Sequence, residues 1–97
     1  MTNTMRPIHP GEILREEMEE LHLSARQLAA ALNVPANRVT GILNEQRAIT
    51  ADTALRLACY FGTTPEFWMN LQAAYELRRT RFDHGEKITK EVQPYAA

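Results

Sequence analysis

At 97 residues and 44% apolar content, the chain is long enough for one small globular domain and too short for two. Its single cysteine, Cys59, excludes an internal disulfide and a multi-cysteine metal site, and no apolar run is long enough to span a membrane. The net charge of −1 is unlike the basic stripe of most nucleic-acid binders, so such a role must rest on where the charges fall.

The start of the chain shows no charged-then-apolar secretory leader, so a cytoplasmic location is expected. A core this small is often marginal alone, and self-association would help it.

Residues 1–9 read as an N-terminal leader, loose from Met1 to Pro7. A first helix is expected to begin near Pro10 or Gly11. Leu14, Met18 and Leu21 line one face at i, i+4, i+7, with Ile13 beside them. Glu12, Glu16, Glu17, Glu19 and Glu20 against the single Arg15 give this segment a local charge of −4. The glutamates of the first turns suit the positive end of the helix dipole. The acid run reads as a solvated face; an acidic contact for a basic partner is the sharper alternative. His22, just past the helix, reads as a capping or surface residue.

The segment Ser24 to Asn44, SARQLAAALNVPANRVTGILN, reads as two short helices joined by a tight turn. Ser24 and Gln27 have capping-box spacing. Leu28, Ala29 and Leu32 follow on one face, and Ala29 is small enough for a close helix crossing. Asn33 tolerates the left-handed conformation that ends a helix. Pro35 suits the first position of the next helix. In that helix Val39, Ile42 and Leu43 point one way. Asn37, Thr40, Gly41 and Asn44 point the other, with Arg38 on the flank. This is the layout of a helix-turn-helix, which lays its second helix in the DNA major groove. Asn can pair with adenine, Thr can meet a thymine methyl, and Arg can take guanine or phosphate. Gly41 would let the helix backbone approach the duplex closely. The bland alternative is a solvated face on a helical hairpin.

A loop follows from Glu45 to Ile49. Arg47 in it is a candidate phosphate contact, or else an ordinary exposed arginine. From Leu21 to Thr50, Arg26, Arg38 and Arg47 against Glu45 give a local charge of +2. The proposed reading head is basic and its support acidic. With so few cations per protomer, a dimer would double the phosphate contacts and add a second half-site.

Thr50 is expected to cap a fourth helix running to about Phe61, with Ala54, Leu57, Ala58 and Phe61 facing inward and Gly62 as its left-handed stop. Cys59 sits among apolar neighbours and reads as a small buried hydrophobe. Thr64, Pro65 and Glu66 then open a fifth helix. One face carries Phe67, Trp68, Leu71, Ala74 and Tyr75. The other carries Met69, Ala73 and Leu77. A helix apolar on two sides is normally buried on two sides. The second face is therefore expected to form a dimer interface, most simply with the same helix of a second copy. Arg78, Arg79 and Arg81 follow. The helical domain is taken as residues 10–81. Residues 82–97 are expected to form a flexible or partly ordered tail, because Gly85 and Pro94 break helix; a short extended segment around Ile88 to Val92 is the alternative to disorder.

With the residues laid out, HPGEILREEMEELHLS, NEQRAIT and GTTPEFWMNLQAAYELR together resemble the HigA antitoxins, within the phage-repressor-like helix-turn-helix regulators. The resemblance spans about His9 to Arg81. It implies an all-α, five-helix domain. It also implies a toxin partner, a small ribosome-dependent mRNA-cleaving HigB-like protein that the antitoxin neutralises. It further implies a homodimer joined through the C-terminal helical region, which represses its own operon at a palindromic double-stranded operator. By position, the DNA contacts would fall on Asn37, Arg38 and Thr40, with Asn44 near the phosphates. Ser24, Arg26 and Gln27 would face the DNA backbone. Ala36 and Gly41 depart from the pattern of related repressors, which often place polar base-reading side chains there. Their absence shifts weight toward DNA shape.

Two other readings stay open: a free-standing repressor without a toxin, and a protein-interaction module that has lost DNA binding. An enzyme is the least supported class. His9, His22 and His84 have no metal-ligand spacing, and no glycine-rich phosphate loop occurs. No cofactor or metal is expected.

Overall fold

The computed structural model describes residues 6–96; of the segment Met1 to Pro7 expected to be loose, residues 1–5 lie outside them. Five helices follow one another: α1 (Pro10–Glu20), α2 (Ala25–Leu32), α3 (Ala36–Leu43), α4 (Ala51–Phe61) and α5 (Pro65–Glu91). Among the described residues there is no strand, and no helix is long and apolar enough to cross a membrane.

Local chemistry starts each helix. His9 caps α1, its Nδ1 accepting from the Gly11 amide at 2.9 Å. It is 3% exposed, so the expected leader is already part of the packed domain at this residue. Ser24 and Gln27 form the full capping box of α2. Thr50 accepts from Thr53, and Thr64 from Phe67, to open α4 and α5. At α3, Pro35 is the residue before the first turn rather than within it; its ψ of 147° is extended.

The helix ends share a device. His22, Asn33, Glu45 and Gly62 all take positive φ just past α1, α2, α3 and α4. After α1, α2 and α3 a Schellman pair closes the end, as in Glu45 N–H to the Ile42 carbonyl and Gln46 N–H to the Gly41 carbonyl. Because α1 stops at Glu20, Leu21 leaves the helical period and is 51% exposed, contrary to its expected place in the α1 stripe.

Trp68 lies at the centre of the core with Leu14, Leu28, Ile42, Ile49 and Leu57 around it. Its indole N–H donates to the Thr63 hydroxyl at 2.9 Å, so the ring is buried without an orphan donor. α1 crosses α3 so closely that a Cβ on Gly11 would collide with the Ile42 carbonyl oxygen.

Two expectations for the C-terminal half are corrected. α5 does not stop near Arg81; it runs through Gly85 to Glu91, and Ile88 is helical rather than extended. A glycine inside a helix costs only about 1 kcal/mol, which good helix formers such as Arg81, Glu86 and Lys87 help to offset. Arg79–Asp83 and Lys87–Glu91 pairs at i, i+4 add local support. The helix ends at Glu91, with Val92 as its extended C-cap two residues before Pro94. Cys59 is exposed rather than buried. α4 turns Ala54, Leu57 and Ala58 inward, which leaves Cys59 beside Leu55 and Tyr60 in a shallow cleft against Ala31.

Candidate nucleic-acid interface

α2 and α3 pack against each other, and both rest on α4 or α1. Val39 and Ile42 anchor α3 in the core. Their burial turns Asn37, Thr40 and Asn44 outward, and all three are exposed. Spaced i, i+3 and i+7, they share one face.

Gly41 has a use within the fold itself. Arg47 runs its side chain across it: a Cβ at Gly41 would lie 3.3 Å from Cβ of Arg47 and 3.7 Å from its Nε. The glycine makes room for the arginine stem, and a cation from the following loop is laid onto the polar face of α3. That loop is held from behind. The Ile49 amide donates to Oε1 of buried Gln72 at 2.8 Å, and Nε2 of Gln72 donates to Glu76 at 2.9 Å. Arg15 on α1 donates to the Leu43 carbonyl at 3.3 Å, which covers the C-terminal end of α3.

At the start of α2, Ser24, Arg26 and Gln27 are exposed. The capping box uses the acceptor atoms of two of them: Ser24 Oγ takes the Gln27 amide at 3.1 Å, and Gln27 Oε1 takes the Ser24 amide at 2.9 Å. The Ser24 hydroxyl proton and the Gln27 NH₂ remain as donors, the polarity that a phosphate oxygen accepts.

Arg38 is tied down rather than freely extended. It forms an ion pair with Asp52 of α4, and Asp52 also accepts from Arg56 at 2.9 Å. The guanidiniums of Arg56 and Arg38 hold the Asp52 carboxyl below the ordinary carboxylate range. Asp52, Arg56 and Gln72 were not singled out by the sequence patterns. Besides local i, i+4 bonds such as Arg56 to Asp52, each has a partner 14 to 24 residues away in the chain, beyond any local spacing.

The two faces of α5 differ in burial. Trp68 and Gln72 are buried against the other helices, and Leu71 and Tyr75 are partly so. Met69, Ala73 and Leu77 are exposed on the other side, Leu77 by 59%. Phe67 and Ala74, expected on the packed face, are exposed as well. Both lie at the margins of the stripe that Trp68 centres.

An exposed polar helix, seated by a capped helix and a tight turn and overlaid by an arginine, defines the class: a helix-turn-helix regulator. The helix-turn-helix family model matches residues 14–68. A HigA-family addiction module antidote protein from Coxiella burnetii superposes with a TM-score of 0.91 at 64% identity, over 93% of this chain and 99% of that one. The Pseudomonas aeruginosa antitoxin HigA, solved with the higBA promoter, gives 0.90 at 49% identity over 94% and 100%. Antitoxin HigA-1 of Vibrio cholerae is 39% identical over 90 residues, 92% of this chain and 84% of its own. The chain belongs to the HigA family of helix-turn-helix antitoxins, a class of DNA-binding transcription regulators and not of enzymes.

Proposed function

We propose that the protein acts as a dimer that binds a palindromic operator, represses its own operon, and neutralises a HigB-like mRNA-cleaving toxin. The observation that carries the DNA half is the face built from Asn37, Thr40 and Asn44 with Arg47 laid across Gly41. Asn37, Arg38 and Thr40 read base edges, while Asn44, Arg47, Ser24, Arg26 and Gln27 meet the backbone. The likeness to a HigA solved with its promoter supports that orientation. Few cations per protomer make pairing necessary for useful affinity. The exposed Met69, Ala73 and Leu77 on α5 supply an apolar face for it. The toxin half rests on family membership.

A gel shift on DNA from upstream of the protein's own coding sequence tests the reading. The double variant Asn37→Ala, Arg38→Ala should lose specific retardation while its circular dichroism spectrum is unchanged. Undiminished affinity would sink the assignment. Co-purification of the product of an adjacent reading frame, small and basic, tests the toxin half.

A further inference from the structure

One cation of the reading helix is already engaged within the fold. Arg38 is the third residue of α3, and its Nη1 meets Oδ2 of Asp52 on α4. The same oxygen accepts from Nε of Arg56 at 2.9 Å, and Nη1 of Arg56 donates to the Leu32 carbonyl at 3.0 Å. A line of groups thus runs from the last turn of α2, through α4, to the start of α3. Arg38 also shares a cleft with Arg47, Ala48, Thr50 and Thr53. A duplex that meets Arg47 there comes within reach of Arg38 too.

Two consequences follow from that arrangement. A free arginine loses rotamer entropy when DNA orders it; one already held by Asp52 has lost it on folding. The pair engages Nη1 of a guanidinium that carries five N–H groups, so it does not exhaust the donors of Arg38. The carboxylate also repels phosphate. Where Arg38 finds no fitting base or backbone oxygen, the pair offers little net charge to attract arbitrary DNA.

We propose that Asp52 is a positioning residue for sequence discrimination: by holding Arg38, it weakens binding to arbitrary DNA more than binding to the operator. The proposal rests on the operator-binding reading above. Removing the carboxylate frees Arg38 as a general phosphate contact. Non-specific affinity then rises and its salt dependence steepens by about one phosphate.

The test uses the full chain and fluorescence anisotropy at several salt concentrations. The probes are a duplex from upstream of the protein's own coding sequence and a scrambled duplex of the same composition. Asp52→Asn should cut the ratio of the two affinities by at least about fivefold, the lower end of what one good base contact contributes. In an Arg38→Ala background the same change should have no effect on the ratio. Arg56→Gln, which leaves the Asp52–Arg38 contact in place, should leave the ratio within about twofold. A purely structural Asp52 would lower the melting temperature and leave the ratio alone, and that result overturns the proposal. So does an equal loss with and without Arg38. If Asp52→Asn does not fold, Asp52→Ser carries the same expectation. Should the unaltered protein show no preference for the upstream duplex, the operator reading falls and this proposal with it. A clear preference that Asp52→Asn leaves intact overturns this proposal alone.

Discussion

α5 passes through two physical settings along its length. Over its first three turns it is a core element: Trp68 is fully buried, Gln72 holds the Ile49 amide, and Tyr75 lies edge-on to His9 with centroids 4.7 Å apart. Beyond Leu77 the same helix exposes its large apolar side chains, Phe82 by 67% and Ile88 by 45%. Here it is held by its own backbone, by the Thr89 hydroxyl on the Gly85 carbonyl at 2.8 Å, and by exposed i, i+4 pairs. Such pairs contribute a few tenths of a kcal/mol each. One continuous helix is therefore specified in two ways, by tertiary burial at its start and by local propensity at its end. The part that supports the reading head is the buried part.

The sharpest way to break that contrast is to truncate one aromatic in each setting. Trp68→Ala should cost about 3–5 kcal/mol, since it removes a large ring from a closed core. Against the 5–15 kcal/mol typical of a domain, that leaves the variant near unfolding. Phe82→Ala should shift stability by less than about 0.5 kcal/mol at low protein concentration. Urea denaturation measures both. Comparable losses would show that the distal turns belong to the core after all. A Phe82 effect that grows with protein concentration would show that a second copy covers them.

A smaller effect, on pH, tests the junction between α1 and the packed part of α5. Burial pushes the His9 imidazole below its ordinary pKa, against the opposing pull of Glu45 and Glu12 and with the help of Arg79. The Gly11 amide donates to Nδ1, so the folded form needs that nitrogen unprotonated. The unfolded chain takes up the proton near pH 6.5, while the folded chain resists it. The stabilisation is complete above about 6.5 and is lost as pH falls toward the folded value, at no more than about 1.4 kcal/mol per pH unit. Arg6 holds the Glu12 carboxyl low, so its share of stability is lost only below about pH 4.5. His9→Asn keeps a capping side chain and removes the titration. Its stability should be less steep than that of the unaltered protein between pH 6.5 and 5. Parallel curves for the two would remove His9 as the source.

How much of this was legible in the sequence follows the same division. The caps at Ser24, Thr50 and Thr64, and the left-handed stops at Asn33 and Gly62, depend on residues a few positions apart, and they stand as read. The polar face of α3 is equally local, since two inward aliphatics, Val39 and Ile42, fix its direction. Glu45 gave no signal as a stop, because glutamate has no preference for positive φ and is held there by the surrounding bonds. Leu21 was misplaced by extending a helical stripe past the end of α1, and Cys59 by reading burial from apolar sequence neighbours rather than from its face of α4. The groups that set the reading face, Arg47 over Gly41, Asp52 on Arg38 and Gln72 on Ile49, are tertiary pairings that no periodicity encodes.

Gly85 is where the sequence misled most, and it offers the smallest and most local test. The residue is taken as a breaker from its type alone, yet the helix passes through it. Replacing it with alanine should favour the local helix by about 0.5–1 kcal/mol. The added Cβ would lie 3.2 Å from Cγ of Arg81, an exposed side chain that can move by the few tenths of an ångström required. Amide exchange from Asp83 to Lys90 should therefore slow by about two- to fivefold, as that free-energy change requires. The global unfolding midpoint should stay put, because the distal turns add little to the core that unfolds. If the midpoint instead rises by the full local gain, propensity and burial are coupled along α5. The head would then draw stability from turns it does not touch.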